Sequence, residues 1–180
     1  TLISAKINIM YIMEPFFNHK MIHFAKKFND KLNNLDKQIL LTKSKILVII
    51  ACHLDQEIKF LSLINNFDLL SNNNFDFIIV YSKNQMFNDK LVNHKFENTK
   101  LIEIDNDYLL DFGKWNYVIN TQNITPYQYI TFTNDSFYLK LPIPFYFNYL
   151  LNNRPDFFSY SSSSEYIYHY QTYLFSINTE

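Results

Sequence analysis

The chain has 180 residues and a mass of 21.7 kDa, which is the size of one domain with a substantial hydrophobic core. Hydrophobic residues make up 48% of it and aromatic residues 18%, a composition that excludes intrinsic disorder. The single glycine, Gly113, excludes phosphate-binding loops of the dinucleotide-fingerprint and P-loop types, and also the nucleophile elbow, because each of them needs several glycines.

The counts of charged residues and of cysteines limit the classes of binding partner and the cellular compartment that we expect. Sixteen basic and 17 acidic residues leave a net charge of −1 without a basic cluster, so we expect no nucleic-acid partner. Cys52, the single cysteine, allows no internal disulfide, which is typical of a reducing compartment. The longest apolar run, residues 46–52, is too short for a transmembrane segment, and no signal peptide opens the chain. These features predict a cytoplasmic protein. Because the first residue is Thr1 rather than Met, we expect a piece of a longer protein.

Residues 1–44 differ from the rest of the chain. Their apolar residues recur three and four positions apart, which predicts an amphipathic helix that packs or links, with a role at a membrane surface as the alternative. The apolar stripe consists of Met21, Phe24, Ala25, Phe28, Leu32 and Leu35. We therefore divide the chain into an N-terminal helix or linker over residues 1–44 and a domain over residues 45–180.

Strands and helices are predicted to alternate along that domain. The apolar and alternating segments predict strands over residues 45–51, 75–81, 101–104 and 127–133, followed by strand-like segments over 156–160 and 168–177. Helices are predicted from Asp55 to residue 70 (with Ile58, Leu61, Ile64 and residues 67–70 facing inward), over 113–122, and over 142–152 with prolines in the first turn. This alternation predicts an open, mostly parallel α/β sheet flanked by helices.

In a sheet of this kind, ligands bind beyond the carboxyl ends of the strands, where the connections diverge. That rule nominates the loops over residues 51–54, 82–85, 105–114 and 134–136. Asn-Asp-Ser at residues 134–136 directly follows a strand, and a carboxylate there can hold Mg²⁺ or Mn²⁺ together with substrate phosphates. Such a metal would neutralise a leaving diphosphate without a glycine-rich loop. The alternative, that Asp135 and Ser136 cap the next turn, is equally open.

Asp-Phe-Gly-Lys-Trp at residues 111–115 is the second candidate. Gly113 would let the backbone approach a ligand or adopt a positive φ, Lys114 offers a charge for phosphate, and Trp115 offers a flat face. The alternative is a helix start in which Asp111 caps the helix and Trp115 packs in the core. Protein kinases also contain Asp-Phe-Gly, but this chain has neither their glycine-rich loop nor their His-Arg-Asp loop.

The histidines are the third candidates. His53 follows the first strand, and His169 lies four residues after Glu165, so that pair could supply acid–base chemistry in a cleft. A histidine flanked by aromatic residues is more often structural, and that alternative stays open. We interpret Cys52 as a small buried hydrophobe, because nothing near it in the sequence predicts an activated thiolate.

Three motifs occur in order: Asp-Phe-Gly-Lys-Trp at residues 111–115, Tyr-Ile-Thr-Phe-Thr-Asn-Asp-Ser at 129–136 with Pro142 shortly after, and Tyr-His-Tyr-Gln-Thr-Tyr-Leu-Phe at 168–175. Over residues 45–177 the chain thereby resembles the rhamnan-synthesis protein F family. These are rhamnosyltransferase-like proteins of bacterial polysaccharide assembly, with relatives in large viruses. The resemblance implies a GT-A-type glycosyltransferase. Its Rossmann-like sheet would bind a nucleoside diphosphate sugar and pass the sugar to a glycan acceptor, in the host cytoplasm if the protein is viral.

The resemblance also implies roles for individual residues. The Asn-Asp-Ser triplet stands where GT-A enzymes have their metal-binding Asp-x-Asp, so Asp135 would be catalytic and would bind Mg²⁺ or Mn²⁺. His169, the acid–base candidate and second predicted catalytic residue, would line the sugar or acceptor side. The residues predicted to contact the donor or its sugar are Ala51, His53, Tyr81, Asp111, Lys114, Ser136 and Gln171.

Two features depart from the family pattern. Relatives carry a glycine and a basic residue before Asp-Phe-Gly, where this chain has Asn-Asp-Tyr-Leu-Leu at residues 106–110. The chain also ends soon after the third motif, so we expect acceptor-binding elements to be missing. The alternative function is a module that has lost catalysis and binds a glycan or a partner chain. A nucleotidyltransferase is disfavoured, because no loop rich in Gly and Arg follows the first strand.

Overall fold

The computed structural model describes residues 46–71, 75–105, 110–163, 169–170 and 173–179. The predicted N-terminal helix, Glu165 and Gln171 lie outside the described residues. The described strands are β1 (Ile46–Cys52), β2 (Asp76–Ser82), β3 (Thr99–Ile104), β4 (Tyr129–Asn134), β5 (Phe157–Ser159), β6 (Ser162–Ser163), β7 (His169–Tyr170) and β8 (Leu174–Asn178). The described helices are α1 (Glu57–Ser71), α2 (Asn88–Asn93), α3 (Asp111–Thr121) and α4 (Pro144–Asn153).

Six of these strands form one mixed sheet in the order β3-β2-β1-β4-β8-β5. The first four of that order run parallel to one another, whereas β8 is antiparallel to β4 and β5 is antiparallel to β8. The predicted fold class, a mostly parallel α/β sheet flanked by helices, is therefore confirmed. The predicted strand-like segment over residues 168–177 is divided, since β7 pairs with β6 in a separate two-stranded sheet and β8 joins the main sheet.

Strand β1 lies at the centre of the parallel part, and all its residues are buried. Its alternate side chains enter two hydrophobic clusters, one on each face of the sheet. Helices α1 and α4 cover the first face, and α3 covers the second with Trp115 and Val118. This explains why the segment is a continuous run of β-branched and aliphatic residues rather than an alternation of apolar and polar ones.

Helix α1 buries only part of the face that the sequence predicted, with Phe67 and Leu70 inward as expected. Ile58 and Leu61, expected to face inward, are 62% and 51% exposed, and the helix begins at Glu57 rather than Asp55. The buried side carries Leu63, Phe67 and Leu70 together with the polar residues Ser62 and Asn66. The amide of Asn66 bonds the backbone of the segment after β4, so a polar residue occupies the inward face that the apolar pattern had assigned to others.

Helix α3 begins at Asp111, two residues before the predicted start, and Gly113 lies in its first turn. Gly113 does not have a positive φ, so that part of the prediction is wrong. The alternative role of Asp111 as a cap is also wrong, because Leu110 precedes the helix and no side chain caps it. Trp115 packs in the core as the alternative expected, with its indole Nε1 donating to the Thr133 carbonyl at 3.2 Å.

Helix α4 begins with a proline in its first turn, as predicted, and α2 was not predicted. Among the described helices, none combines the length and the hydropathy needed to cross a bilayer.

Candidate functional site

The parallel strands β1 and β4 are neighbours, and their connections leave in opposite directions. From β1 the chain moves to β2 on one side, passes through β3, and returns to β4 on the other side. The crevice beyond the carboxyl ends of β1 and β4 is therefore the topological switch point, where open α/β sheets bind ligands. Ala51 pairs with Asn134 in register, so Asp135 follows level with Cys52, and His53 comes one residue later at the same edge.

Five polar residues meet there, and we call them the carboxyl-end cluster: His53, Asp111, Lys114, Asn134 and Asp135. Strand β1 leads to His53, strand β4 leads to Asn134 and Asp135, and the first turn of α3 supplies Asp111 and Lys114. The cluster thus joins the two strands of the crevice to the helix that precedes β4.

Asp135 reaches from β4 to the end of β1. Its Oδ2 accepts a 2.6 Å hydrogen bond from the backbone N–H of His53. Its Oδ1 is buried and has no hydrogen-bond partner among the described residues. The side chain is 1% exposed. Burial is the largest influence on the pKa of Asp135 and raises it from 3.8 to about 6. The hydrogen bond from the His53 N–H acts in the opposite direction and lowers this pKa.

The turn after β4 is closed by Asn134 and not by Asp135 or Ser136. The Asn134 Oδ1 accepts from the backbone N–H of Ser136 at 3.1 Å, which is an Asx-turn. The interpretation of Asp135 as a turn cap is therefore wrong, because its carboxylate bonds a different strand. The same Asn134 amide donates through Nδ2 to Asp111 Oδ2 at 2.7 Å, so one residue shapes the turn and holds α3's first carboxylate.

His53 and Lys114 form the centre of the cluster. The Asp111 Oδ1 lies 3.6 Å from His53 Nε2, and the Lys114 Nζ lies 3.1 Å and 2.9 Å from His53 Nδ1 and Nε2. Lys114 is 0% exposed. Burial and then the Lys114 charge lower the pKa of His53 from 6.5, so its imidazole is neutral at pH 7.

The remaining predicted site residues differ in their surroundings. Ala51 is buried on the α3 face of the sheet, and Tyr81 lies in the core on the opposite face, where burial raises its pKa. Ser136 is exposed directly after Asp135. For His169 the structure gives the backbone in β7 and not the side chain. Burial raises the pKa of the Cys52 thiol well above its usual value, which confirms the interpretation as a buried hydrophobe.

Asn134 and Asn66 take part in this region although the sequence interpretation assigned them no role of their own. Asn134 stood in the Asn-Asp-Ser triplet, where its amide could have been read as a turn former. Asn66 offered no local signal, because its partners at Phe137 and Leu139 lie 71 and 73 residues away in the chain.

A divalent metal can be tested against the residues that the structure places here. Within the described ranges, no three His, Cys, Asp or Glu side chains group into a self-contained metal site. The unpartnered Oδ1 of Asp135 still fits a hard cation, because Mg²⁺ and Mn²⁺ are often held by one or two carboxylates plus substrate phosphates. The residues therefore fit an ion that shares its coordination with a ligand.

No protein-family profile matches the chain, and no curated protein matches it. Solved structures do. The 4-diphosphocytidyl-2C-methyl-D-erythritol synthase from Anaerococcus prevotii aligns with 76% of this chain and 71% of its own, at 12% identity and a TM-score of 0.49. A mannosyltransferase from Pyrobaculum calidifontis, solved in complex with GDP-Man and Mn²⁺, aligns with 99% of this chain at 10% identity and a TM-score of 0.55.

The chain spans 56% of the length of that mannosyltransferase. At this identity the likeness concerns the fold alone. The six-stranded mixed sheet with helices on both faces therefore resembles the Rossmann-like fold of a glycosyltransferase.

Proposed function

We propose that the chain is a glycosyltransferase domain that takes a sugar from a nucleoside diphosphate donor and transfers it to a glycan acceptor. The observation that carries this proposal is the buried Asp135 carboxylate at the switch point, with one oxygen fixed by His53 and the other unpartnered. The fold likeness to a mannosyltransferase supports it, and so does the resemblance of the three sequence motifs to those of the rhamnan-synthesis family.

The carboxyl-end cluster has the charges that donor binding needs. Asp135 Oδ1 would hold Mg²⁺ or Mn²⁺, which when bound would offset the charge that develops on a departing diphosphate. Lys114 would add a positive charge near the diphosphate. Its side chain is buried and contacts His53, so this charge is already in position before a ligand binds. Asp111 is held by Asn134 and would accept a hydrogen bond from a sugar or ribose hydroxyl. Neutral His53 lies between the Asp111 and Lys114 side chains.

The reaction forms one bond and breaks another at the same carbon. An acceptor hydroxyl oxygen attacks C1 of the donor sugar, and the bond from C1 to the diphosphate oxygen breaks with its electron pair leaving on the diphosphate. The hydroxyl proton passes to a base, for which His169 stays the prediction from the sequence. Lys114 and Asp135 act on the diphosphate side of this exchange.

The finer identity of the substrates follows the resemblance. A rhamnose or another hexose is the proposed sugar, and the acceptor is a growing polysaccharide. Cytoplasmic assembly of such a polymer, in the host cytoplasm if the protein is viral, would fit the single unpaired cysteine.

Release of the nucleoside diphosphate tests the proposal. The whole chain is incubated with Mn²⁺ and each of GDP-mannose, UDP-glucose and dTDP-rhamnose, with and without a bacterial polysaccharide acceptor, and the free diphosphate is measured. We expect release with one of these donors, and a decrease of at least about 100-fold in Asp135→Asn, because the carboxylate and its metal are lost.

The exposed acid Asp89 on α2 provides a matched control, and Asp89→Asn should release diphosphate as the wild type does. Glycan binding without diphosphate release from any donor would contradict the proposal and would favour a non-catalytic binding module.

A further inference from the structure

The segment that follows Asp135 is held firmly by helix α1. Asn66 is 1% exposed, and its amide makes two hydrogen bonds of 2.8 Å, from Nδ2 to the Phe137 carbonyl and to Oδ1 from the Leu139 N–H. Asn65 adds a third, from its Nδ2 to the Leu139 carbonyl at 2.7 Å. Because a buried amide satisfies both backbone groups, residues 137–139 are fixed in position relative to the crevice.

Tyr173 lies at the same edge of the sheet. It directly precedes β8, whose Leu174 pairs with Thr133, and its carbonyl accepts a hydrogen bond from Thr133 Oγ1 at 2.8 Å. The Tyr173 ring is centred 6.2 Å from the Phe137 ring at an interplanar angle of 33°. We call these two residues the aromatic pair. Its tyrosine is 44% exposed, so the ring is open to a ligand at this edge.

The aromatic pair has the properties of a sugar-binding surface. One face of a pyranose ring carries several C–H groups, and these pack against an aromatic ring while the hydroxyl groups bond polar neighbours. The pair supplies the ring, and Asp135, two residues before Phe137, belongs to the polar cluster at the same edge. Phe137 supports the tyrosine ring, so little side-chain freedom is lost when a ligand packs on it.

We propose that the aromatic pair is a pyranose subsite, with Tyr173 as the residue that contacts the sugar. This inference rests on the proposed function and deepens it, since it assigns a surface to the transferred or receiving sugar rather than to the nucleotide. The pyranose belongs either to the donor or to the acceptor, and the two sources are separated by the ligands used in the test.

The experiment is calorimetric titration of the whole chain in Mn²⁺. In one arm, GDP-mannose, UDP-glucose and dTDP-rhamnose are each compared with GDP, UDP and dTDP. In the other arm, the methyl glycosides of mannose, glucose and rhamnose are used without nucleotide. The variants are Tyr173→Ala, Tyr173→Leu, which keeps apolar bulk without an aromatic face, and Tyr173→Phe. The control is Tyr117→Ala, whose tyrosine is 39% exposed on α3.

We expect Tyr173→Ala and Tyr173→Leu to weaken binding of the nucleotide sugar about two- to tenfold and to leave the matching nucleotide unchanged. Tyr173→Phe and Tyr117→Ala should bind as the wild type does. Weakening of the methyl glycosides alone would also support the subsite and would assign it to the acceptor.

An equal loss for sugar nucleotide and nucleotide, or no loss for any sugar ligand, would overturn the subsite while nucleotide binding leaves the proposed function standing. Glycoside binding that depends on Tyr173, with no binding of any nucleotide, would support the subsite and overturn the proposed function. Absence of binding in both arms overturns both.

Discussion

Strand β1 and the carboxyl-end cluster that follows it are built on opposite principles. Every residue of β1 is apolar and buried between two hydrophobic clusters. In the cluster beyond its carboxyl end, polar side chains are buried instead, with Lys114 and Asp135 at 0% and 1% exposure. Burial of apolar side chains stabilises the folded state in β1. Burial of polar and charged side chains in the cluster costs desolvation energy instead.

The largest effect is expected in the strand. Ile50 is 0% exposed in β1 and packs on the face covered by α1 and α4. Ile50→Ala removes buried methyl groups and leaves a cavity, so we expect the free energy of unfolding to decrease by about 2–5 kcal/mol in urea denaturation. At the outer face of α1, Leu61→Ala is the matched control, and we expect a change of less than about 0.5 kcal/mol because Leu61 is exposed. Equal losses in the two variants would contradict the observed orientation of α1.

In the cluster, removing a buried side-chain charge should raise the free energy of unfolding rather than lower it. Because the pKa of Asp135 is raised from 3.8 to about 6 in the folded state, that state binds the proton more tightly than the unfolded chain does. The contribution of Asp135 to stability is therefore complete below pH 3.8 and is lost as the pH rises through about 6. Asp135→Asn should raise the free energy of unfolding at pH 7 by on the order of 3 kcal/mol.

That gain should disappear at pH 3.5, where the carboxyl is protonated in both states. Thermal denaturation of wild type and variant at the two pH values measures it. If the variant were less stable than the wild type at pH 7, the ionised carboxylate would stabilise the folded state. Burial in the cluster would then not have the cost that distinguishes it from β1.

A smaller loss is expected at the boundary between the two regions. Asn66→Ala would leave the part-buried Phe137 carbonyl and the buried Leu139 N–H without their partner. We expect the free energy of unfolding to decrease by about 2 kcal/mol and amide hydrogen exchange to accelerate in residues 137–139. The neighbouring Asn65→Ala, which removes one bond to the same segment, should have about half the effect. Exchange unchanged in both variants would indicate that other contacts fix the segment.

The smallest effect is expected at the exposed start of α1. The Lys59 ammonium lies 2.7 Å from Asp55 Oδ1, and Asp55 is 51% exposed. An exposed pair spaced i,i+4 contributes little, so Lys59→Gln should change the free energy of unfolding by less than about 0.5 kcal/mol. A larger loss would mean that exposed charged pairs also contribute substantially to stability, so that burial would not be the main difference between the two regions.

The sequence predicted the sheet well because the signals were local. An apolar run such as residues 46–52 has few alternatives to a buried strand, and Pro144 marks the start of α4. The predicted inward face of α1 was wrong at Ile58 and Leu61, whereas Asn66 is buried by partners more than seventy residues away that no local pattern could indicate. The antiparallel position of β8 likewise depends on long-range pairing.

The candidate site was predictable in its members more than in its bonds. The rule for open α/β sheets brought Asp111, Lys114 and Asp135 to one edge before any geometry was known. Their arrangement around His53, and the double role of Asn134, arise only when α3 and two strands meet in space. Gly113 shows the limit of inference from one residue type, since it lies inside the helix without unusual backbone.

The most direct measurement is a titration of the matching nucleoside diphosphate into the wild type and Asp135→Ala, each with Mn²⁺ and each with EDTA. We expect the wild type to bind in Mn²⁺, and its affinity to fall about 100-fold or more both when EDTA is added and when the carboxylate is removed. The two losses should not add, because they remove the same interaction. Binding that is unchanged in Asp135→Ala would contradict the assignment of the donor site to the carboxyl ends of β1 and β4.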